Sequence, residues 1–226
     1  APELVGELQV GELIDRAADR EVARTARVLC ALGDAYRLLL NDPERALFYY
    51  TRALAGDPQL EEAENGLSAL LEVDIVRAKA ADALAGAYAV RDNAAGLLAL
   101  LPHRLFGATS ADERARLLRQ AAQLEEKGGA PAEAFAHLCA ALIEEPESSA
   151  HDSVVRRLAE QLSGWTALAD AALEAAGKLE PSHPRVAQLR ALEGEIAEAA
   201  LKEPARALVA YASALRATPG DAALAR

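Results

Sequence analysis

The stretch PERALFYYTRALAGDP, residues 43–58, decides the fold of this chain because it occurs three times in recognisable form. The other copies are PAEAFAHLCAALIEEP, residues 131–146, and PARALVAYASALRATP, residues 204–219, and the three align without a gap. Each copy begins and ends with proline, which is tolerated at the first position of a helix and excluded from its interior. Each copy therefore predicts one helix bracketed by prolines.

Small and bulky residues recur with a helical period inside each copy. Alanine follows the first proline by three residues and returns seven residues later, with a bulky residue between: Ala46, Tyr50 and Ala53; Ala134, Leu138 and Ala141; Ala207, Tyr211 and Ala214. Such alanines share one helix face, where a neighbouring helix can approach closely. An apolar residue follows each alanine and should widen the buried stripe: Leu47, Phe135 and Leu208; Leu54, Leu142 and Leu215.

A second helix is expected before each copy, carrying a small residue thirteen positions ahead of the first alanine: Gly33, Ala121 and Gly194. In the first copy these two helices together contain Leu29, Leu32, Gly33, Tyr36, Ala46, Tyr50, Ala53 and Pro58. This series resembles the signature of the tetratricopeptide repeat (TPR) family, with one extra residue in the turn at Asn41-Asp42. The copies at 114–146 and 187–219 depart from it, since Leu124 and Ala197 replace the aromatic residue at Tyr36.

The resemblance implies an all-α fold, a right-handed superhelical solenoid of antiparallel helix hairpins, forming a single domain over residues 1–226. Its clear hairpins span about 21–58, 111–146 and 183–219. The closing prolines of the copies lie 88 and 73 residues apart, more than twice the roughly 34 residues of one TPR unit, so degenerate hairpins are expected at about 75–106 and 149–178. The alternation resembles long, alanine-rich bacterial TPR arrays, and we expect the chain to be a piece of a longer one.

Helical periodicity and capping signals predict twelve helices along the chain. They should lie near residues 3–18, 21–40, 43–55, 59–73, 75–90, 92–106, 111–127, 131–144, 149–162, 165–178, 183–201 and 204–217.

Composition excludes several partners. The net charge is −11 and there is no run of five Lys or Arg residues, so the electrostatic footprint of a nucleic-acid-binding protein is missing. No apolar run approaches the roughly 20 residues of a membrane-spanning helix. Cys30 and Cys139 lie more than a hundred residues apart and neither belongs to a CxxC motif, which favours small core residues over a reactive thiol or a bridge between them.

Chemistry-bearing residues do not converge in the sequence. His103, His137, His151 and His183 have no metal-ligand spacing, and the glycines form no phosphate-binding loop. The carboxylate pairs Glu61-Glu62, Glu125-Glu126 and Glu144-Glu145 are expected on solvated helix faces. The sequence therefore predicts no enzyme, no metal and no cofactor.

The TPR resemblance implies a concave groove, lined by the first helices of successive hairpins, that binds a protein or peptide segment. Its candidate residues are Arg27, Cys30, Asp34, Arg37, Gln123, Glu195 and Glu198. TPR domains that clamp a terminal carboxylate carry lysine and asparagine where this chain has Cys30 and Asp34, and Asp34 would repel that ligand.

Two functions stay open at this stage. The first is a non-catalytic scaffold whose groove binds a basic or neutral segment, because Asp34, Glu195 and Glu198 lie near the first-helix face. The alternative is a structural spacer that self-associates through its terminal hairpins. The lone tryptophan, Trp165, is interpreted either as packing between hairpins or as an exposed anchor for a partner.

Overall fold

The computed structural model describes residues 20–149 and 152–218, and within these ranges every regular element is a helix. The predicted helix at 3–18, the closing Pro219 and the tail from Asp221 to Arg226 lie outside the described residues. The all-α prediction is confirmed for the described part of the chain. The chain divides into two compact units, Ala1–Gly107 and Ala108–Arg226.

Unit 1 contains six of the described helices. They are α1, described from residue 20 to 39 with Ala35–Leu39 as a π-helical last turn, α2 (Pro43–Gly56), α3 (Glu61–Leu70), α4 (Arg77–Val90), α5 (Ala94–Ala99) and α6 (Leu101–Gly107). Helix α2 packs against α1, α3 and α4, and α4 also contacts α5 and α6. The additional helix expected at 59–73 is α3, and it packs between α2 and α4.

Unit 2 contains the other six described helices. They are α7 (Ala111–Lys127), α8 (Pro131–Glu144), α9 (Asp152–Leu162), α10 (Trp165–Gly177), α11 (Pro184–Ile196, followed by the π-helical turn Ala197–Leu201) and α12 (Pro204–Ala217). Helix α7 packs against α8, α8 against α9 and α10, α10 against α11, and α11 against α12. Neighbours in sequence are therefore neighbours in space throughout this unit.

The prolines and polar caps begin helices as their chemistry predicts. Pro43, Pro131 and Pro204 are the first residues of α2, α8 and α12. The Ser110 hydroxyl accepts from the amide of Glu113 at 3.1 Å, as expected for a capping box. The Glu113 carboxylate accepts from the amide of Thr109 rather than from that of Ser110.

The single helix predicted at 92–106 is wrong, because the structure has two helices that break at Leu100. Pro102 causes the break: it has no amide hydrogen for the carbonyl of Leu98, and its ring would clash with that carbonyl in a continuous helix. The amide of Leu100 donates to that carbonyl instead.

The repeated blocks pack largely as the pattern predicts. All six repeat alanines are buried, as are Tyr50 and Leu138, whereas Tyr211 is half-buried. The prediction is wrong for Leu208, which is 71% exposed although its counterpart Phe135 is buried. The reason is that Phe135 lies in the core that α8 forms with the helices following it in unit 2. None of the described helices follows α12, so none of those helices can cover Leu208 in the same way.

Candidate functional site

Four of the predicted contact residues lie on α1, and they do not share one environment. Arg27 is exposed, while Cys30 is 3% exposed and belongs to the core of unit 1. Burial, with the charges of Asp34 and Glu62, raises the pKa of the Cys30 thiol to about 11. Ala26, Cys30 and Gly33 share the face of α1 that packs on α2. Cys30 is therefore a core residue and does not line a partner-binding surface.

Asp34 and Arg37 are brought together by the buried Tyr50. The Tyr50 hydroxyl donates to Asp34 Oδ1 at 2.7 Å, and Arg37 Nε donates to the Tyr50 oxygen at 3.0 Å. Burial raises the pKa of Tyr50 to about 12, and the hydrogen bond from Arg37 opposes that rise. Arg37 also lines a shallow pocket of about 190 Å³ with Pro43 and Leu70. Both charged side chains remain half-exposed and could contact a partner.

The remaining predicted residues lie in unit 2, where two of them share α11 and its π-helical turn. Glu195 is exposed and accepts from Arg156 of α9 at 3.1 Å. Glu198 is also exposed and accepts from the Tyr211 hydroxyl at 3.1 Å. Gln123 is exposed on α7, which packs against α8 and whose Glu126 forms an ion pair with Arg157 of α9. Among the described residues, α7 therefore reaches α9, but it does not pack against α11, which carries Glu195.

A surface pocket of about 440 Å³ opens where α9, the start of α10 and the end of α11 meet. It is lined by Arg156, Trp165, Glu195, Ile196, Ala199 and Ala200. The Arg156–Glu195 ion pair lies half-exposed at this pocket, and Ile196 is buried. Sequence reasoning found Glu195 and considered Trp165, but it missed Arg156. The sequence did offer a signal for Arg156, because this residue lies on a helix predicted to be the first of its hairpin, and the first helices are expected to line the groove.

Trp165 packs against the core of unit 2 and also borders the pocket. The side chain is half-buried and packs against the core of unit 2, which confirms the packing interpretation. It also lines the pocket, so its role as an anchor for a partner stays a proposal.

Buried ionic groups hold α11, and with it Glu195, in place. Glu193 is 4% exposed and accepts from Arg190 at 3.0 Å and from Arg206 of α12 at 3.1 Å. Arg185 is 8% exposed and donates to the carbonyl of Pro146 at 3.2 Å and to Asp152 at 2.7 Å. A buried charge that lost such partners would be costly, so these pairs fix the position of α11.

One carboxylate expected on a solvated face is instead buried. Glu125 is 8% exposed, and its Oε2 lies 2.7 Å from Nδ1 of His137, a histidine that the sequence left without a partner. Glu125 lies on the face of α7 that packs against α8, where His137 can reach it across the turn. Glu144 and Glu145 are also paired, with Arg114 and Arg119. Contacts between helices are not visible in the spacing within one helix.

Two kinds of feature are absent from residues 20–149 and 152–218. These residues contain no group of three or more His, Cys, Asp or Glu side chains that could hold a metal ion. None of their helices is long and apolar enough to cross a membrane.

Comparisons with known proteins do not show a family for this chain. No protein-family model matches the chain, and no curated protein matches it. Among solved structures, the chain is similar to BtubC (BKLC) from P. vanneervenii, at 16% sequence identity and a TM-score of 0.36. The match covers 88% of this chain and 91% of that chain. This similarity is too low to indicate a shared fold or function.

Proposed function

We propose that the chain is a TPR-like helical solenoid and a non-catalytic scaffold that binds a peptide or protein segment. The observation that carries the proposal is the pocket between α9 and α11, lined by Arg156, Trp165 and Glu195. In the hairpin scheme predicted from the sequence, α9 and α11 are the first helices of adjacent hairpins. A pocket between such helices is where a TPR-like groove would bind a ligand.

The repeated contact between a glycine and a tyrosine supports the TPR interpretation. A Cβ atom added to Gly33 would lie 2.6 Å from the Tyr50 ring, and one added to Gly194 would lie 2.6 Å from the Tyr211 ring. In both hairpins the glycine precedes the tyrosine by seventeen residues. The two hairpins therefore share one contact between glycine and tyrosine.

The chemistry of the pocket favours a large apolar side chain next to a basic one. Ile196, Ala199 and Ala200 supply apolar surface, and the indole of Trp165 can pack against a bulky group or a cation. Arg156 already neutralises Glu195. Glu198, one helical turn beyond, accepts only from the neutral Tyr211 hydroxyl among the described residues. A lysine or arginine of the partner would therefore gain most at Glu198.

Selection of peptides on the immobilised chain, followed by titration of a selected peptide, tests the proposal. Trp165 is the only tryptophan, so its fluorescence reports directly on the pocket. We expect affinity to fall between about 50 and 300 mM salt and to weaken in Glu195→Gln/Glu198→Gln, because exposed charges are screened by salt. The matched control is Glu160→Gln/Glu174→Gln, which removes the same charge from exposed positions of α9 and α10 outside the pocket.

Equal loss of affinity in both double variants would show that only the overall charge matters and would contradict the groove. Peptides that leave Trp165 fluorescence unchanged would contradict the pocket as their site. If no peptide is selected and the chain self-associates, the spacer alternative is favoured.

A further inference from the structure

An apolar stripe on α12 lies open among the described residues. Leu208, Tyr211 and Leu215 follow one another by three and four residues and therefore share one face of the helix. Leu208 is 71% exposed, and Tyr211 and Leu215 are half-buried. The buried alanines Ala207, Ala210 and Ala214 occupy the neighbouring face of α12. We call these three residues the α12 stripe.

The other two copies of the repeat show what happens to this stripe when helices follow it. The counterparts are Leu47, Tyr50 and Leu54 on α2, and Phe135, Leu138 and Leu142 on α8. All are buried except Leu47, which is half-buried against the core of unit 1. Helix α2 packs against α3 and α4, and α8 packs against α9 and α10. In both covered copies, therefore, the stripe is packed against helices.

The covered tyrosine also shows what kind of helix fits. The ring of Tyr50 lies between two glycines: a Cβ atom on Gly33 of α1 would lie 2.6 Å from the ring, and one on Gly66 of α3 would lie 2.4 Å from it. Tyr211 has Gly194 in the place of Gly33. No described helix supplies the counterpart of Gly66. A helix covering Tyr211 would need the same lack of a side chain at that point.

We propose that the α12 stripe is a docking surface for an amphipathic α-helix that carries glycine or alanine opposite the Tyr211 ring. The template for this partner is α3, whose buried face consists of Ala63, Gly66, Leu67 and Leu70. The stripe is a different surface from the pocket at Trp165, and the proposal stands without the groove.

A peptide with the sequence of residues 58–76 is the probe, because it contains α3 and its apolar face. Fluorescence anisotropy of the labelled peptide is measured against the intact chain. We expect Leu208→Glu to weaken binding about tenfold or more, since a buried leucine contributes at least that much. Val209→Glu is the matched control: Val209 is 66% exposed, and its counterparts Phe48 and Ala136 stay exposed in the covered copies. The affinity of the Val209→Glu variant for the peptide should be unchanged.

A second peptide tests the glycine. Gly66→Leu in the probe places a side chain where the Tyr211 ring would lie, and it should lose affinity although leucine favours the helix more than glycine does. Circular dichroism of the protein variants confirms that they remain folded. The proposal is overturned if no binding occurs up to about 1 mM peptide, or if Leu208→Glu and Val209→Glu behave alike. A dimer of the intact chain that only Leu208→Glu dissociates would also overturn it, in favour of a second copy as the occupant.

Discussion

The hairpin of α1 and α2 and the hairpin of α11 and α12 have the same backbone construction. In each, the first helix ends in a π-helical turn, and a residue with positive φ follows it: Asn41 at 49° and Lys202 at 59°. In both hairpins the next amide donates a hydrogen bond to the carbonyl six residues earlier. Asp42 donates to Tyr36 at 2.9 Å, and Glu203 donates to Ala197 at 2.8 Å.

The two hairpins differ in what surrounds their tyrosine. Tyr50 has no exposed surface, and its oxygen is hydrogen-bonded by both Asp34 and Arg37. Tyr211 is half-buried, and its one hydrogen-bond partner among the described residues is Glu198. Local sequence therefore produces the same hairpin twice, whereas the energetic weight of a given contact depends on the neighbouring helices.

Overpacking of the shared alanine should have the largest effect. Ala46 and Ala207 are 0% and 5% exposed. We expect Ala46→Trp and Ala207→Trp to destabilise the fold by about 1–3 kcal/mol, with Ala46→Trp the more severe because α2 is packed on more sides. Denaturant unfolding followed by circular dichroism measures this. Glu126→Trp is the control: the position is exposed, the change removes a surface ion pair with Arg157, and it should cost under about 1 kcal/mol. If the midpoints of all three variants equalled that of the parent protein, the repeat alignment would be refuted.

Adding one methyl group to the shared glycine should separate the two hairpins. In Gly33→Ala the new Cβ meets a tyrosine ring that is held by Gly66 on its other side, so we expect destabilisation of about 1–3 kcal/mol. In Gly194→Ala the half-buried ring can move, and the better helix propensity of alanine offsets part of the cost. Unfolding midpoints measure the difference. If Gly194→Ala is destabilised as much as Gly33→Ala, the expected difference between the two hairpins is contradicted.

Removing the tyrosine hydroxyl should be costly only in the buried case. Tyr50→Phe leaves Asp34 and Arg37 without their shared partner and should cost about 1–2 kcal/mol. Tyr211→Phe removes a hydrogen bond to an exposed carboxylate and should cost under about 0.5 kcal/mol. Equilibrium urea unfolding of the two variants provides the test, and a larger loss in Tyr211→Phe would reverse our assignment.

High pH should weaken the hairpin in which the tyrosine is buried. Burial raises the pKa of Tyr50 to about 12, whereas a tyrosine in an unfolded chain titrates near 10. A raised pKa gives stability that is complete below about pH 10 and is lost as pH rises toward 12. Stability should therefore fall over this window, and less steeply in Tyr50→Phe. Urea midpoints between about pH 9 and 11 measure the slope; identical slopes would contradict the assignment.

The sequence predicted the helices well because their signals are local. Prolines at first helical positions and alanines seven residues apart act within one helix or turn. The break at Pro102 was also visible in the sequence, and the prediction of one helix there overlooked it. Of the candidate site, the sequence predicted Glu195, which lines the pocket, and it also named Cys30, which is buried in the core.

The amino-acid sequence by itself determined the repeated hairpin, with its small residue beneath a bulky one. Only the tertiary structure decided that Glu125 faces His137 and that Arg156 meets Glu195. It also decided that Leu208 stays exposed while Phe135 is buried. The physical reason is that periodicity records which residues share a face of one helix, whereas burial and pairing depend on which helix packs against that face.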